Sequence, residues 1–150
     1  MAIRELRYYD DEILRKKSRE VPEVNDRIRT LLADMAETMY STKIGAGLAA
    51  CQVGILKRLV VIDMGDGLLQ LINPRILSAE GTQDCIEGCL SLPGRYGKTV
   101  RPQRVIVEAL NENGEKITVH GEGDMAKCLC HEVDHLNGIV FWDQVTEFLE

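Results

Sequence analysis

The two histidines of His131-Glu132-Val133-Asp134-His135 are the residues of this chain best spaced to do chemistry together. On an α-helix of about 3.6 residues per turn they project from one face and can reach a single divalent ion. Glu132 lies between them, beside the ion rather than on it, where a carboxylate can take a proton from a polarised water. The plain alternative is a helix that carries two surface histidines by coincidence. The chain has 3 histidines. The remaining one, His120, has no partner at ligand spacing and reads as an ordinary residue at a strand end.

A catalytic metal takes about three protein ligands and keeps a position for water. In zinc peptidases of the H-E-x-x-H-x-x-G-x-x-H type a third histidine follows the glycine. Here Gly138 is in place, but Phe141 occupies the ligand position. Asp143, Glu147 and Glu150 follow, with too little chain to build the later helix that supplies a glutamate ligand in other zinc peptidases. Cysteines are the better source. Cys128 shares the histidine face, but three ligands along one helix spread over about 10 Å, too far for bonds near 2.0–2.3 Å; it is expected to line the cavity below the site. Cys130 points off that face and reads as core. Cys51, Cys85 and Cys89 are expected on loops that could approach the ion, and Cys89, next to Gly88, has the backbone best able to come close.

The elements that must position these groups follow from periodicity. Ile28, Leu31, Leu32, Met35, Ala36 and Met39 recur at helical spacing over 26–40, with Asn25-Asp26 as the start. STKIGAGLAACQVG is glycine-rich. LKRLVVID reads as a buried strand, Gly65-Asp66-Gly67 as a turn, and LLQLINP as a second strand ended by Asn73-Pro74, with RILSAEG continuing the sheet. Residues 82–102 read as a long irregular loop, of the kind that is more often functional than filler. QRVIVEAL and EKITVH alternate as antiparallel strands around a turn at Asn111–Gly114. A helix over 122–135 carries the histidines and stops at Asn137-Gly138. The pattern is α+β: antiparallel sheets packed around a central metal-binding helix, preceded by an N-terminal helix, in one domain spanning 1–150.

Composition narrows the function classes. The 150 residues are 45% hydrophobic and 28% charged, ordinary for a globular protein with a full core. The net charge of -6 argues against direct nucleic-acid binding, which needs a basic surface. No segment has the length of a membrane span and the N-terminus lacks a signal-peptide pattern, so neither membrane nor export is expected. The 5 cysteines, an odd number, read as reduced thiols of a cytoplasmic protein. Gly45-Ala46-Gly47-Leu48-Ala49-Ala50 superficially fits a dinucleotide fingerprint. That fingerprint must follow a strand and open a helix, whereas here a helix precedes and a strand follows.

Three motifs, in order along the chain, resemble those of the peptide deformylase family: GAGLAACQ at 45–52, EGCLS at 87–91 and HEVDHL at 131–136. Text between them (VVIDMGD, INPRI, RPQRVIVEALNENGE) is similar too, so the likeness covers nearly the whole chain and points to the compact bacterial type. The resemblance implies a metal-dependent hydrolase that removes the formyl group from the N-terminal formylmethionine of newly made polypeptides. It implies Cys89, His131 and His135 as ligands and a water in the fourth place. Glu132 would be its general base, and the Gln52 side chain and the Leu90 backbone N–H would be donors to the oxyanion. The family's usual ion is iron(II), with zinc, nickel and cobalt compatible with the same ligands. Ile44, Ile86, Met125 and Cys128 are candidates for the methionine pocket. Gly45, Gly47 and Gly88 are candidates for backbone contact with an extended substrate. Asp134 is expected to orient the helix through Arg101. Two departures stand out. Cys130 replaces a common glutamine, and the chain ends at Glu150 without the long basic helix of many bacterial members, so transient proximity to the ribosome is implied without docking through such a helix. The rival readings are an H-E-x-x-H zinc peptidase and a noncatalytic metal-stabilised module.

Overall fold

Helix α1 spans Asp26–Ser41 in the computed structural model, which describes residues 2–150. Asn25 caps it, its side-chain oxygen accepting the Ile28 N–H at 3.1 Å and satisfying one orphan donor of the first turn. Ile28, Leu32, Met35 and Met39 lie on one buried face. They pack against Leu48, Leu59, Val61 and Ile72, each burial contributing roughly 1.5–3 kcal/mol.

After α1 come strands β1 (Gly47–Ala49), β2 (Leu59–Ile62), β3 (Leu69–Glu80), β4 (Gln83–Cys89), β5 (Leu92–Arg101), β6 (Arg104–Leu110) and β7 (Lys116–Glu122). Helix α2 (Asp124–Leu136) and strand β8 (Glu147–Phe148) complete the order. Two antiparallel sheets result, β1-β2-β3-β6-β7 and β4-β5-β8. The β6–β7 hairpin closes on Asn111, whose side-chain oxygen accepts the N–H groups of Asn113 and Glu115, the local bonding that suits asparagine to turns.

Asn73-Pro74 does not end a strand, as its composition suggests; β3 runs straight through it. Asn73 adopts φ 53°, and the pairing with β6 skips between Ile72 and Arg75. A bulge of this kind tolerates the missing proline N–H. The Asn73 side chain accepts the Val21 N–H and donates to the Val21 carbonyl, pinning the preceding chain to the bulge.

Residues 82–102 are likewise not an irregular loop. They form the β4–β5 hairpin, paired from Gln83↔Arg101 to Cys89↔Leu92. Its inward face carries Glu87, Thr99 and Arg101, all buried. Those polar groups satisfy one another, so the apolar alternation that normally marks a strand is missing.

Helix α2 is the centre of the fold. Ala126, Leu129, Cys130, Val133 and Leu136 are buried, and the helix touches both sheets. Arg58, just ahead of β2, donates to the Leu136 carbonyl at 3.0 Å and to the Asn137 side-chain oxygen at 3.0 Å. That places a cation on the C-terminal carbonyls, where the helix dipole favours it. Gly138 follows at φ 75°, and a Cβ there would stand 2.5 Å from the Arg15 carbonyl oxygen, so only glycine fits. No helix among the described residues is long and apolar enough to cross a membrane.

Candidate active site

Residues that the chain separates by 46 positions converge here. The ligand atoms of Cys89, His131 and His135 lie within 4.8 Å of one another. Cys89 Sγ is 3.3 Å from His135 Nε2. Ligands bonded at about 2.3 and 2.0 Å around a tetrahedral ion stand about 3.5 Å apart, so the spacing fits a metal. Among the described residues this is the single group of three or more potential ligands so arranged. Cys51 and Cys85, expected on loops, instead lie in the 3-10 turn Ala50–Val53 and within β4, both buried and outside this group. Phe141, which stands where a third histidine would be in a zinc peptidase, stacks on the His131 ring with centroids 5.8 Å apart.

Each histidine is held for the task. Glu87 Oε1 accepts the His131 Nδ1–H at 2.8 Å, which leaves Nε2 for an ion. Glu87 in turn accepts from Arg101 Nη2 at 2.8 Å, from Arg101 Nε at 2.5 Å and from the Thr99 hydroxyl. Burial alone would raise the Glu87 pKa, but these hydrogen bonds outweigh it and hold the carboxyl well below its usual range. Arg101 also reaches Asp134 at 2.7 Å, the contact expected from the sequence. Burial would lower the His131 pKa, yet hydrogen bonds donated to Cys89 and Glu87 raise it well above the ordinary value. A positive charge, whether a proton or a metal ion, is therefore stabilised at this ring. Burial pushes the His135 pKa well below the ordinary value, keeping that ring neutral and able to ligate.

Glu132 is 4% exposed, and its Oε1 has no hydrogen-bond partner. Burial, the largest cause, pushes its pKa up to about 7, where a carboxylate is well poised to exchange protons near neutrality. An unpartnered buried oxygen beside three converging ligands is what a polarised water would satisfy. The motif glycines explain how the groups come so close. A Cβ on Gly47 would stand 2.6 Å from Glu132 Oε2, and one on Gly45 would stand 2.8 Å from a Leu90 methyl. Their absence of side chain serves these approaches as well as any substrate.

Gln52 is 1% exposed. Its Oε1 accepts the Ala49 N–H at 2.9 Å, the backward reach of a residue three past a cap. That bond fixes which end of the amide is the oxygen, and Nε2 faces Cys89 Sγ at 3.4 Å and Ser91 Oγ at 3.1 Å.

A cavity of about 400 Å³ opens on this cluster. Ile44, Gly45, Gly47, Ile86, Gly88, Cys89, Leu90, Cys128, His131 and Glu132 line it. Ile44 and Ile86 are 77% and 54% exposed, apolar side chains with little to cover them. Met125 is not part of the lining. It is half-buried and packs against the core cluster that includes Leu129, near Gly121. Sequence reasoning overlooked Met64, Arg95 and Tyr96, which also line the cavity, and Glu87. A strand reading of 83–89 would have found Glu87, since residues 85, 87 and 89 then share a face.

With this geometry in hand, known proteins give a consistent comparison. The pattern of the family described as polypeptide deformylase matches residues 3–149. The chain is 59% identical to peptide deformylase 2 of Clostridium acetobutylicum over 150 residues, covering all of both chains. The crystal structure of peptide deformylase from Thermotoga maritima superposes with a TM-score of 0.94 at 37% identity, over 97% of this chain and 99% of that one. That of Ehrlichia chaffeensis in complex with actinonin gives a TM-score of 0.94 at 38% identity, over 97% and 90%. A match over nearly the full length, on a fold that brings the three motifs to one ion-sized cluster, makes this chain a member of the peptide deformylase family.

Proposed function

We propose that Cys89, His131 and His135 hold one divalent ion, with Glu132 working beside it, in a hydrolase that removes the formyl group from N-terminal formylmethionine of newly made polypeptides and releases formate. The observation that carries the reading is the convergence of three ligand atoms within 4.8 Å beside a buried carboxylate with an unpartnered oxygen. When bound, the ion lowers the pKa of a water toward neutrality and polarises the formyl oxygen.

This chain's residues do the rest. Glu132 Oε1 accepts the proton of the attacking water and later gives it to the departing amine. The Gln52 Nε2 and the Leu90 backbone N–H donate to the oxygen on which negative charge develops, each such donor being worth about 2.7–4 kcal/mol in the transition state. Glu87 keeps the proton of His131 on Nδ1. Ile44, Ile86 and Cys128 receive the methionine side chain, while Gly45, Gly47 and Gly88 leave room for an extended peptide backbone along β4. A thiolate and two imidazoles accept iron(II), zinc, nickel or cobalt, and we assign iron(II) on the family's habit. The working unit is one catalytic domain over 1–150, acting in the cytoplasm near the ribosome as nascent chains emerge.

Formate release from a short formyl-Met peptide tests the reading, using protein prepared without oxygen and loaded with iron(II) or nickel. Turnover that vanishes on chelation and returns with metal is expected. Glu132→Gln should keep its metal while turnover falls by about 10²–10⁴-fold. No formate from a fully loaded protein would overturn the assignment, and undiminished turnover in Glu132→Gln would remove the general base.

A further inference from the structure

Ser91 is fully buried, at 0% exposure, in the turn between β4 and β5. Its hydroxyl contacts the one side chain proposed above to donate to the developing oxyanion, since Gln52 Nε2 donates to Ser91 Oγ at 3.1 Å. A primary amide has one acceptor oxygen and two N–H groups. In Gln52 the oxygen is taken by the Ala49 N–H and one N–H by Ser91 Oγ. The remaining N–H can point in only one direction, toward Cys89 Sγ at 3.4 Å and the cavity beside it.

The backbones of the same two residues are tied by a third segment. The Arg7 N–H donates to the Gln52 carbonyl at 2.7 Å, and the Tyr9 N–H donates to the Ser91 carbonyl at 2.9 Å. Residues 7–9 thus bridge the 3-10 turn that carries Gln52 and the hairpin turn that carries Ser91. Those turns belong to elements far apart in sequence and in different sheets. Arg7 is seated there closely: a Cβ on Gly54, which follows the Gln52 turn at φ 82°, would stand 2.7 Å from the Arg7 guanidinium.

We infer that Ser91 is a positioning residue for Gln52, its hydroxyl holding the amide so that one N–H is presented to the reacting oxygen, with residues 7–9 strapping the two turns at that spacing. The inference rests on Gln52 acting as a donor. It follows that Ser91 touches neither metal nor substrate and acts only through Gln52. Removing its oxygen leaves the amide held by the Ala49 N–H alone, and the donor is correctly placed for a smaller fraction of turnovers.

A double-mutant cycle on the metal-loaded enzyme tests this. Ser91→Ala should lower kcat roughly tenfold, the scale of one lost hydrogen bond, with KM and metal content little changed. Gln52→Ala should lower kcat further, and adding Ser91→Ala to it should change nothing more, because the residue it positions is gone. A merely structural serine would instead lower Tm and act equally in both backgrounds. If Gln52→Ala turns over like the wild type, the donor assignment itself fails. If Gln52→Ala is impaired while Ser91→Ala is fully active, or the two losses multiply, the positioning role alone is overturned. Should Ser91→Ala fold poorly, Tyr9→Pro provides a second reading. It removes the N–H that ties the strap to Ser91 along with the Tyr9 side chain; with Tyr9→Ala as the side-chain control, it should lower kcat when Gln52 is present but not in Gln52→Ala.

Discussion

Replacing Gly47 by alanine probes how tightly the general base is held. The backbone at Gly47 lies outside the left-handed region, so alanine is conformationally acceptable there. The new Cβ, however, would stand 2.6 Å from Glu132 Oε2 and 3.1 Å from Cys128 Sγ. To reach tolerable contact the carboxylate must retreat by roughly 0.4–0.8 Å, since carbon–oxygen approaches below about 3 Å are strongly repulsive. Glu132 is 4% exposed, so it cannot swing into solvent and must move within a packed site. Displacement of a reacting group by nearly 1 Å costs about 10²-fold in rate, equivalent to about 2.7 kcal/mol of barrier. Stability should change by less than about 1 kcal/mol, because the methyl group restricts the unfolded chain while the strain falls on one side-chain end. The assay is formate release from a formyl-Met peptide at saturating substrate, alongside Tm and metal content by elemental analysis. The expected outcome is a folded, metal-replete protein with kcat about 10²-fold down. A folded Gly47→Ala with kcat within twofold of wild type would refute the reasoning, showing that this packing does not hold the carboxylate where it works.

Three further outcomes follow from the network around the site. Glu87→Gln removes the charged acceptor of His131 Nδ1–H and leaves Arg101 buried at 5% exposure without its main counter-ion; metal should be lost to a chelator about 10–100-fold more readily, and unchanged retention would show that Glu87 does not orient the ring. Asp34, 3% exposed, accepts from the Ala2 N–H and from Arg4. Burial would raise its pKa, but those bonds outweigh it and lower the value. A carboxyl whose folded pKa is depressed contributes stability that is complete above its unfolded value, near 3.9, and lost as pH falls through the folded one. Asp34→Asn should therefore cost about 1.5–3 kcal/mol at pH 7 and flatten the fall in urea midpoint below about pH 4; a parallel acid limb would contradict the assignment. Arg58→Ala strips the cation from the Leu136 carbonyl and should lower stability by about 1–3 kcal/mol in urea titration, whereas an unshifted midpoint would mean that water caps that helix end as well.

Local patterning made a good deal of this protein legible. Helix α1 and its Asn25 cap, the β6–β7 hairpin with its asparagine turn, and the stop of α2 at Asn137-Gly138 all depend on residues within a few positions of one another. So does the pairing of His131 and His135, because helical pitch alone places them together. The three motifs carried the family. What local patterning missed has one physical cause: groups whose partners lie on distant segments. The β4–β5 hairpin reads as loop because its inner face is a charged cluster, Glu87, Thr99 and Arg101, that is stable only when folded against His131 and Asp134. The chain through Asn73-Pro74 reads as a strand end because nothing nearby announces that Val21 will pin the bulge. That Phe141 stacks on the His131 ring, and that Met125 packs against the core cluster instead of lining the cavity, depend on how two sheets close around one helix. So does the orientation of Gln52, set by Ala49 on one side and Ser91 on the other. Spacing along the chain can place side chains on a common face, but the few ångströms between Cys89, Glu132 and Gln52 come from long-range packing.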